Sequence, residues 1–202
     1  MMLKHLRRLV PLALLACLAC QPKAAAPDYG PWEEGLTLDF ENPTLPQPLR
    51  SEQRLQLRVT RSPLAPGPPH LIQLDLASTK GRVTVLVNHH EGGIDLVDEH
   101  GRVLGMILPP HFPEIQSWTD RGIDYQIVGR GAWEGASLLP PTSNPVGVWV
   151  EARSPQGPRR RVLYLPNLGG VEAREERGGA WVVVNRLVAR GFTDLPSLKR
   201  PQ

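Results

Sequence analysis

"HLIQLDLASTKGRVTVLVNHHEGGIDLVDEHGRVLGMI", residues 70–107, decides the fold. Four short runs of β-branched and long apolar residues, 70–77, 82–88, 93–98 and 102–108, are separated by clusters of Gly, Asp, Glu and Lys, the punctuation of antiparallel strands. In "VDEHGRVLG" the turn Glu99-His100-Gly101 places Gly where a hairpin needs positive φ. Outward from this block the same grammar continues. Runs at 36–40, 54–60, 123–129, 146–153, 161–166, 170–175 and 180–188 have strand composition, and Leu55, Leu57 and Val59 alternate with Gln56, Arg58 and Thr60 as in a strand buried on one face. "EERGGAW" joins two runs through Gly178 and Gly179. The 22 Pro and 19 Gly leave no window for a long helix.

Strands about ten residues apart with short turns predict an all-β domain, an antiparallel β-sandwich of Ig-like or jelly-roll-like type over residues 36–194. "ENPTLPQPL", "SPLAPGPP" and "LPPTSNP" are connections within it, since no separate core lies between them. "MILPPHFPEIQSWTDRG" is the longest irregular stretch, and loops of that length either carry function or cover a sheet edge. Residues 195–202 should fray.

The block at 70–107, with "RGIDYQIVG" after it, resembles the pre-peptidase C-terminal family of β-sandwiches. The matching positions are Leu74, Leu76, Gly81, Val83 to Val87, Ile94 to Leu96, Asp98, Gly101 and Gly122 to Val128; His70-Leu71 stands where that family commonly has an aromatic. The resemblance implies a non-catalytic accessory sandwich beside extracytoplasmic enzymes.

The chain starts with "MMLKHLRR" and an apolar run, "LVPLALLACLA", too short for a bilayer core that needs roughly 20 apolar residues. This is a secretory leader. Both cysteines fall at its end, in "LLAC" and "CLAC", each after an alanine. The segment resembles the bacterial lipoprotein signal, which implies cleavage before a cysteine that carries diacylglycerol and an acylated amine. Leu14 three positions before Cys17 favours the first register; the longer apolar run and the polar sequence that follows favour Cys20. Residues 1–19 are thus read as signal and 20–35 as a flexible tether, with Trp32 placed to pack on the domain edge. The resemblance implies a membrane partner through the covalent lipid, an extracytoplasmic location and, in a Gram-negative cell, the outer membrane, because Leu18 or Gln21 rather than Asp follows the lipidated residue.

Without Lys4, Arg7 and Arg8 the 23 basic residues fall to the same number as the 20 acidic ones. A neutral domain has no general electrostatic attraction to nucleic acid. The basic run "PRRR", 158–161, reads as a solvated hairpin turn. At most one thiol survives cleavage, so no internal disulfide is expected and an apolar core must supply stability.

Candidate chemistry is sparse. His89, His90, His100 and His111 could converge on a metal, yet adjacent histidines on a strand face opposite ways. Asp95 and Asp98 could offer oxygens to Ca²⁺, although Asp98 better fits a turn cap. There is no "GxSxG", "HExxH" or phosphate loop. Trp149, between valines, should pack on a sheet face, whereas Trp118 and Trp133, near loops, could present exposed indoles to a sugar or a partner side chain. The expectation is a lipid-anchored, non-catalytic binding or accessory module without a cofactor, whose partner is an envelope protein, peptide or glycan. The alternatives are an envelope hydrolase or metal-binding protein using the histidines, and a purely structural envelope protein.

Overall fold

The computed structural model describes residues 29–30, 33–61, 71–139 and 145–193. Twelve strands run through them: β1 (Leu36–Glu41), β2 (Leu55–Arg61), β3 (Leu71–Ser78), β4 (Gly81–His90), β5 (Gly93–Val97), β6 (Val103–Leu108), β7 (Ser117–Asp120), β8 (Ile123–Ala132), β9 (Val146–Arg153), β10 (Arg160–Leu165), β11 (Gly169–Arg177) and β12 (Ala180–Phe192). A four-residue helix, Leu49–Glu52, and a single 3₁₀ turn, Ala136–Leu138, complete the regular structure. All eleven runs read from the sequence are strands. The twelfth, β7, lies inside the long irregular stretch.

Every pairing is antiparallel, and the spatial order is β6-β5-β4-β3-β2-β1-β12-β11-β10-β9-β8-β7. Each half is a meander, and the pairing of β1 with β12 welds the halves into one sheet, nearly closed as a barrel. The all-β class therefore holds, but the pairing gives one rolled sheet where two packed sheets were expected. Nor is the pre-peptidase resemblance confirmed: the block from β3 to β6 is a plain meander, and β8 pairs with β7 and β9, not with it. The β1–β12 contact joins the two ends of the domain, so no local pattern announces it.

Register explains what faces inward, because residues directly opposite each other share a face. Leu38, Leu57, Leu76 and Val83 form one row across β1 to β4; Val59, Leu74 and Val85 form the next. One core cluster joins Leu36, Leu38, Phe40, Val59 and Leu187 to Leu163, Leu165 and Val171, and the other joins Val87, Ile94 and Leu108 to Val148 and Val150 of the opposite wall. Bulges between Asp39 and Phe40, Leu163 and Tyr164, and Ala173 and Arg174 add the local twist that lets so wide a sheet curl.

The turns follow their residues. Arg177 pairs with Ala180 across Gly178 and Gly179, whose φ values of 58° and 81° suit a two-residue hairpin. Gly101, at φ 77°, sits in a turn capped by Asp98. The stretch between β6 and β7 folds inward rather than extending as an open loop: His111 N–H donates to the Glu91 carbonyl at 2.8 Å, and Phe112 is fully buried. The two free edges come together across this connection. A Cβ on Gly105 of β6 would run into the guanidinium of Arg121, from the β7–β8 turn, so glycine leaves room for that side chain over the seam.

Candidate functional site

On the outer face of β9–β12 two carboxylates are sealed from water: Glu151 is 1% exposed and Glu172 4%. A carboxylate in that position is held only by paired donors. Glu151 accepts hydrogen bonds from Arg153 Nε at 2.9 Å, Arg159 Nη2 at 2.6 Å and Arg161 Nε at 2.9 Å. Glu172 accepts from Arg174 Nε at 2.7 Å and Arg186 Nε at 2.9 Å. Strand register supplies this arrangement, since Arg161 lies directly opposite Glu151 and Arg186 opposite Glu172. Two indoles back the guanidinia: Arg161 sits 4.0 Å and Arg159 5.5 Å from the Trp181 ring centre, and Arg174 4.7 Å from that of Trp149. Burial pushes the Glu151 carboxyl up, and the three arginine hydrogen bonds outweigh it, bringing its pKa down to about 2.

"PRRR" is solvent-accessible, as a turn predicts, with the Arg160 side chain 63% exposed, but its arginines are also ion-paired. Arg159 and Arg161 are tied into the ladder, and Arg160, opposite Glu175, pairs with it at 3.3 Å. Trp149 lies on a sheet face as expected, with Gly131 of β8 leaving space for its ring. The two carboxylates are thus saturated by arginines, and Arg159 also meets Glu176 at 3.2 Å.

The interior has two unlike ends. At the end where residues leading from the tether meet β1, aromatic rings fill the space. Tyr29 packs edge-on to Phe112 with centroids 4.9 Å apart; Phe112 meets Trp118 at 6.2 Å and Tyr164 at 6.0 Å; Trp118 stacks on Tyr125 at 5.2 Å. Burial pushes the Tyr164 phenol up to about 12, so it is neutral. Toward the other end the inner wall borders a cleft of about 180 Å³ that opens to solvent, lined by Phe40, Leu55, Leu57, Leu76, Val162 and Ala173 with Asn185 among them. Leu55, Leu57, Leu76 and Val162 are only half-buried, and Val83, opposite Leu76, is 61% exposed, so the apolar inner wall reaches solvent here. Asn185 lies opposite Ala173 and borders the same space.

The residues singled out from sequence fall as follows. Cys17, Cys20 and Trp32 lie outside the described residues. Trp133 is 3% exposed and belongs to the core with Leu163 and Leu165, so it presents no indole to a partner; Gly135 makes room for its ring. Trp118 points inward and is half-buried, although it and Tyr125 also border a groove with Ser117, Thr119, Asp124, Gln126 and Arg153 at the β7 edge. His89 and His90 face opposite sides of β4, with His89 opposite Ile94 and His90 bonded to Asp95 at 2.8 Å. His100 stands 3.6 Å from Glu99, and His111 3.6 Å from Glu91. No three His, Cys, Asp or Glu side chains gather for a metal ion among the described residues. Asp98 is a turn cap: it accepts from the N–H groups of His100 and Arg102 and from Arg102 Nε. The Arg102 backbone hydrogen bond, foremost, holds its carboxyl below the usual range.

The sequence reading missed Glu151, Glu172 and Asn185. The signal for the carboxylates was present, since a Glu within "VGVWVEAR" and one within "GVEARE" each recur near arginines, but which arginines lie opposite is a matter of register. No protein-family model matches the chain, and no curated protein matches it. Two solved structures are similar. One, from Bacteroides fragilis NCTC 9343, is described as an exported protein with a YmcC-like fold; it shares 12% identity over 82% of this chain and 100% of that one, with a TM-score of 0.48. The other, described as a lipoprotein from Parabacteroides distasonis ATCC 8503, shares 11% identity over 82% of this chain and 99% of that one, with a TM-score of 0.43. Likenesses at that level carry no argument for this chain, whose function must be argued from its own residues.

Proposed function

We propose that this protein is an extracytoplasmic lipoprotein, held at a membrane by acyl chains on Cys17 or Cys20, whose rolled sheet is a non-catalytic binding module. The observation that supports it most directly is the place of Tyr29. The leader's apolar run and cysteines precede a short tether, and the tether's last residues are built into the aromatic end of the interior. Tyr29 is the first described residue after the cysteines, so on this reading the aromatic end of the interior is the part of the sheet nearest the anchor along the chain. Two acyl chains give lasting attachment where a single one binds reversibly. Among the described residues no helix is long and apolar enough to cross a membrane. In a cell with two membranes the residue after the lipidated cysteine, Leu18 or Gln21, favours the outer one.

The test is metabolic labelling with a clickable fatty acid, read together with membrane fractionation. Cys17→Ser should abolish label and membrane retention if the first register is used, and Cys20→Ser if the second is. Retention of both properties in the double variant would refute lipid anchoring. Crosslinking in intact cells followed by capture tests the binding role, for which a partner in the envelope fraction is the expected result.

A further inference from the structure

We propose that Tyr29 is a detachable plug: the aromatic end of the interior is a socket for one aromatic side chain of an extended peptide segment, filled in the resting protein by the anchor segment's own tyrosine and open to a partner's in exchange. The socket gives the binding role proposed above the chemistry of its partner, and it rests on that reading.

Three observations carry it. First, the structure shows what the socket holds. Tyr29, 4% exposed, sets its ring edge-on to Phe112 at 4.9 Å, in a cluster with Val87, Ile94, Leu108 and Val148. Burial pushes its phenol up, against the lowering effect of the Arg130 charge, so the ring enters neutral, an apolar body with one polar tip.

Second, the walls are built without the plug. His111 N–H donates to the Glu91 carbonyl, which fixes the connection that carries Phe112. The Pro109–Pro110 backbone lies so close to β5 that a Cβ on Gly93 would come within 2.7 Å of the Pro110 nitrogen. Trp118 and Tyr164, the other rings against Phe112, belong to β7 and β10, and Trp118 is stacked on Tyr125 of β8. None of these contacts passes through the segment that carries Tyr29. Walls packed in this way relax only in part when a side chain leaves them, so a withdrawn plug leaves room for another ring.

Third, the plug hangs on a hinge. Tyr29 and Gly30 belong to no strand. The sheet holds the chain at Gly35, whose N–H donates to the Val59 carbonyl at 3.0 Å and whose carbonyl accepts from Thr193 N–H at 2.9 Å. Gly35, at φ 85°, is the residue about which the segment can swing. Such a swing withdraws the ring and leaves every pairing of β1 intact. Segments of this kind open locally at less cost than the sheet itself. A partner's aromatic side chain then competes with Tyr29, and its apparent affinity is reduced by the fraction of molecules in which the plug is seated.

The experiment uses the full-length mature protein in detergent and, as probe, a synthetic peptide of residues 24–34, AAAPDYGPWEE, with binding read by calorimetry. The Tyr29→Ala protein, its socket empty, should bind the peptide, and the wild type should bind it about ten-fold more weakly because its own plug competes. The same peptide carrying Tyr29→Ala should bind neither. In a second measurement the peptide carries benzoylphenylalanine at position 29 and is irradiated with the wild-type protein; adducts should map to the stretches holding Leu108, Phe112 or Trp118. Absence of binding to a Tyr29→Ala protein that keeps its β-sheet circular dichroism, equal affinity of variant and wild type, or adducts confined to other strands would overturn the proposal. Should Tyr29→Ala fail to fold, the adduct map on the wild type decides. The crosslinking capture above is read separately: an envelope partner captured by a protein whose socket takes no peptide removes the socket and leaves the binding module standing, whereas peptide binding without a captured partner upholds the socket and counts against the envelope role.

Discussion

The outer face of β9–β12 and the interior beneath it treat polar groups in opposite ways. Outside, two sealed carboxylates have five guanidinia between them, and two indoles back three of those. Inside, apolar side chains line a space of about 180 Å³ with one carboxamide, that of Asn185, among them. Both surfaces belong to the same strands, separated only by the alternation of side chains. The contrast teaches how one set of strands builds two unlike surfaces: the outer carboxylates are saturated by arginines, and the inner wall is apolar and reaches solvent at one end.

The sharpest way to break this contrast is to empty the filled end of the interior. Phe112→Ala removes a fully buried ring that touches three other aromatics, and it should cost about 3–5 kcal/mol in denaturant unfolding. A loss below about 1 kcal/mol would mean that the aromatic end is no better packed than the cleft end. Next comes Glu151→Gln, which keeps the shape but leaves Arg153, Arg159 and Arg161 without their anion, for an expected loss on the order of 3 kcal/mol at neutral pH. Its pH signature separates this ladder from ordinary packing. Because the folded-state pKa is depressed to about 2 from 4.5, the stabilisation is fully present above pH 4.5 and is lost as the pH falls toward about 2. In Glu151→Gln that acid slope should flatten, as measured by melting temperature against pH.

Asn185→Leu should behave in the reverse sense. It replaces a half-buried amide on an apolar wall with hydrocarbon, so unfolding stability should hold or rise by up to about 1 kcal/mol. A loss of more than about 1 kcal/mol would show that the amide has a structural partner and that the two surfaces are alike. The smallest effect is expected at the seam. A Cβ at Gly105 meets only the far end of the Arg121 side chain, which can swing away, so Gly105→Ala should cost less than about 1 kcal/mol. Faster amide exchange along β6 is the measurement that would register it.

Strand positions were legible because alternation and turn residues are local. Leu55, Leu57 and Val59 announce their inward face, and Gly101, Gly178 and Gly179 their turns. The strand Ser117–Asp120 was hidden because four residues with one apolar member show no period. The single rolled sheet was hidden because the β1–β12 pairing depends on residues at opposite ends of the domain. Trp133 looked like a loop residue since Gly131 and Gly135 flank it; those glycines in fact clear space for the rings of Trp149 and Trp133. The site depends on cross-strand register throughout. Asn185 in "WVVVNRLV" reads as the polar interruption of a strand until Ala173 and Val162 are placed beside it.

The way the sheet rolls also settles a hazard that its width creates. A flat meander of twelve strands would offer two raw margins at which foreign strands could splice in and seed a fibril. Rolling carries both margins to the same line, where one arginine laid over a glycine and one loop that buries a phenylalanine guard β6 and β7 together.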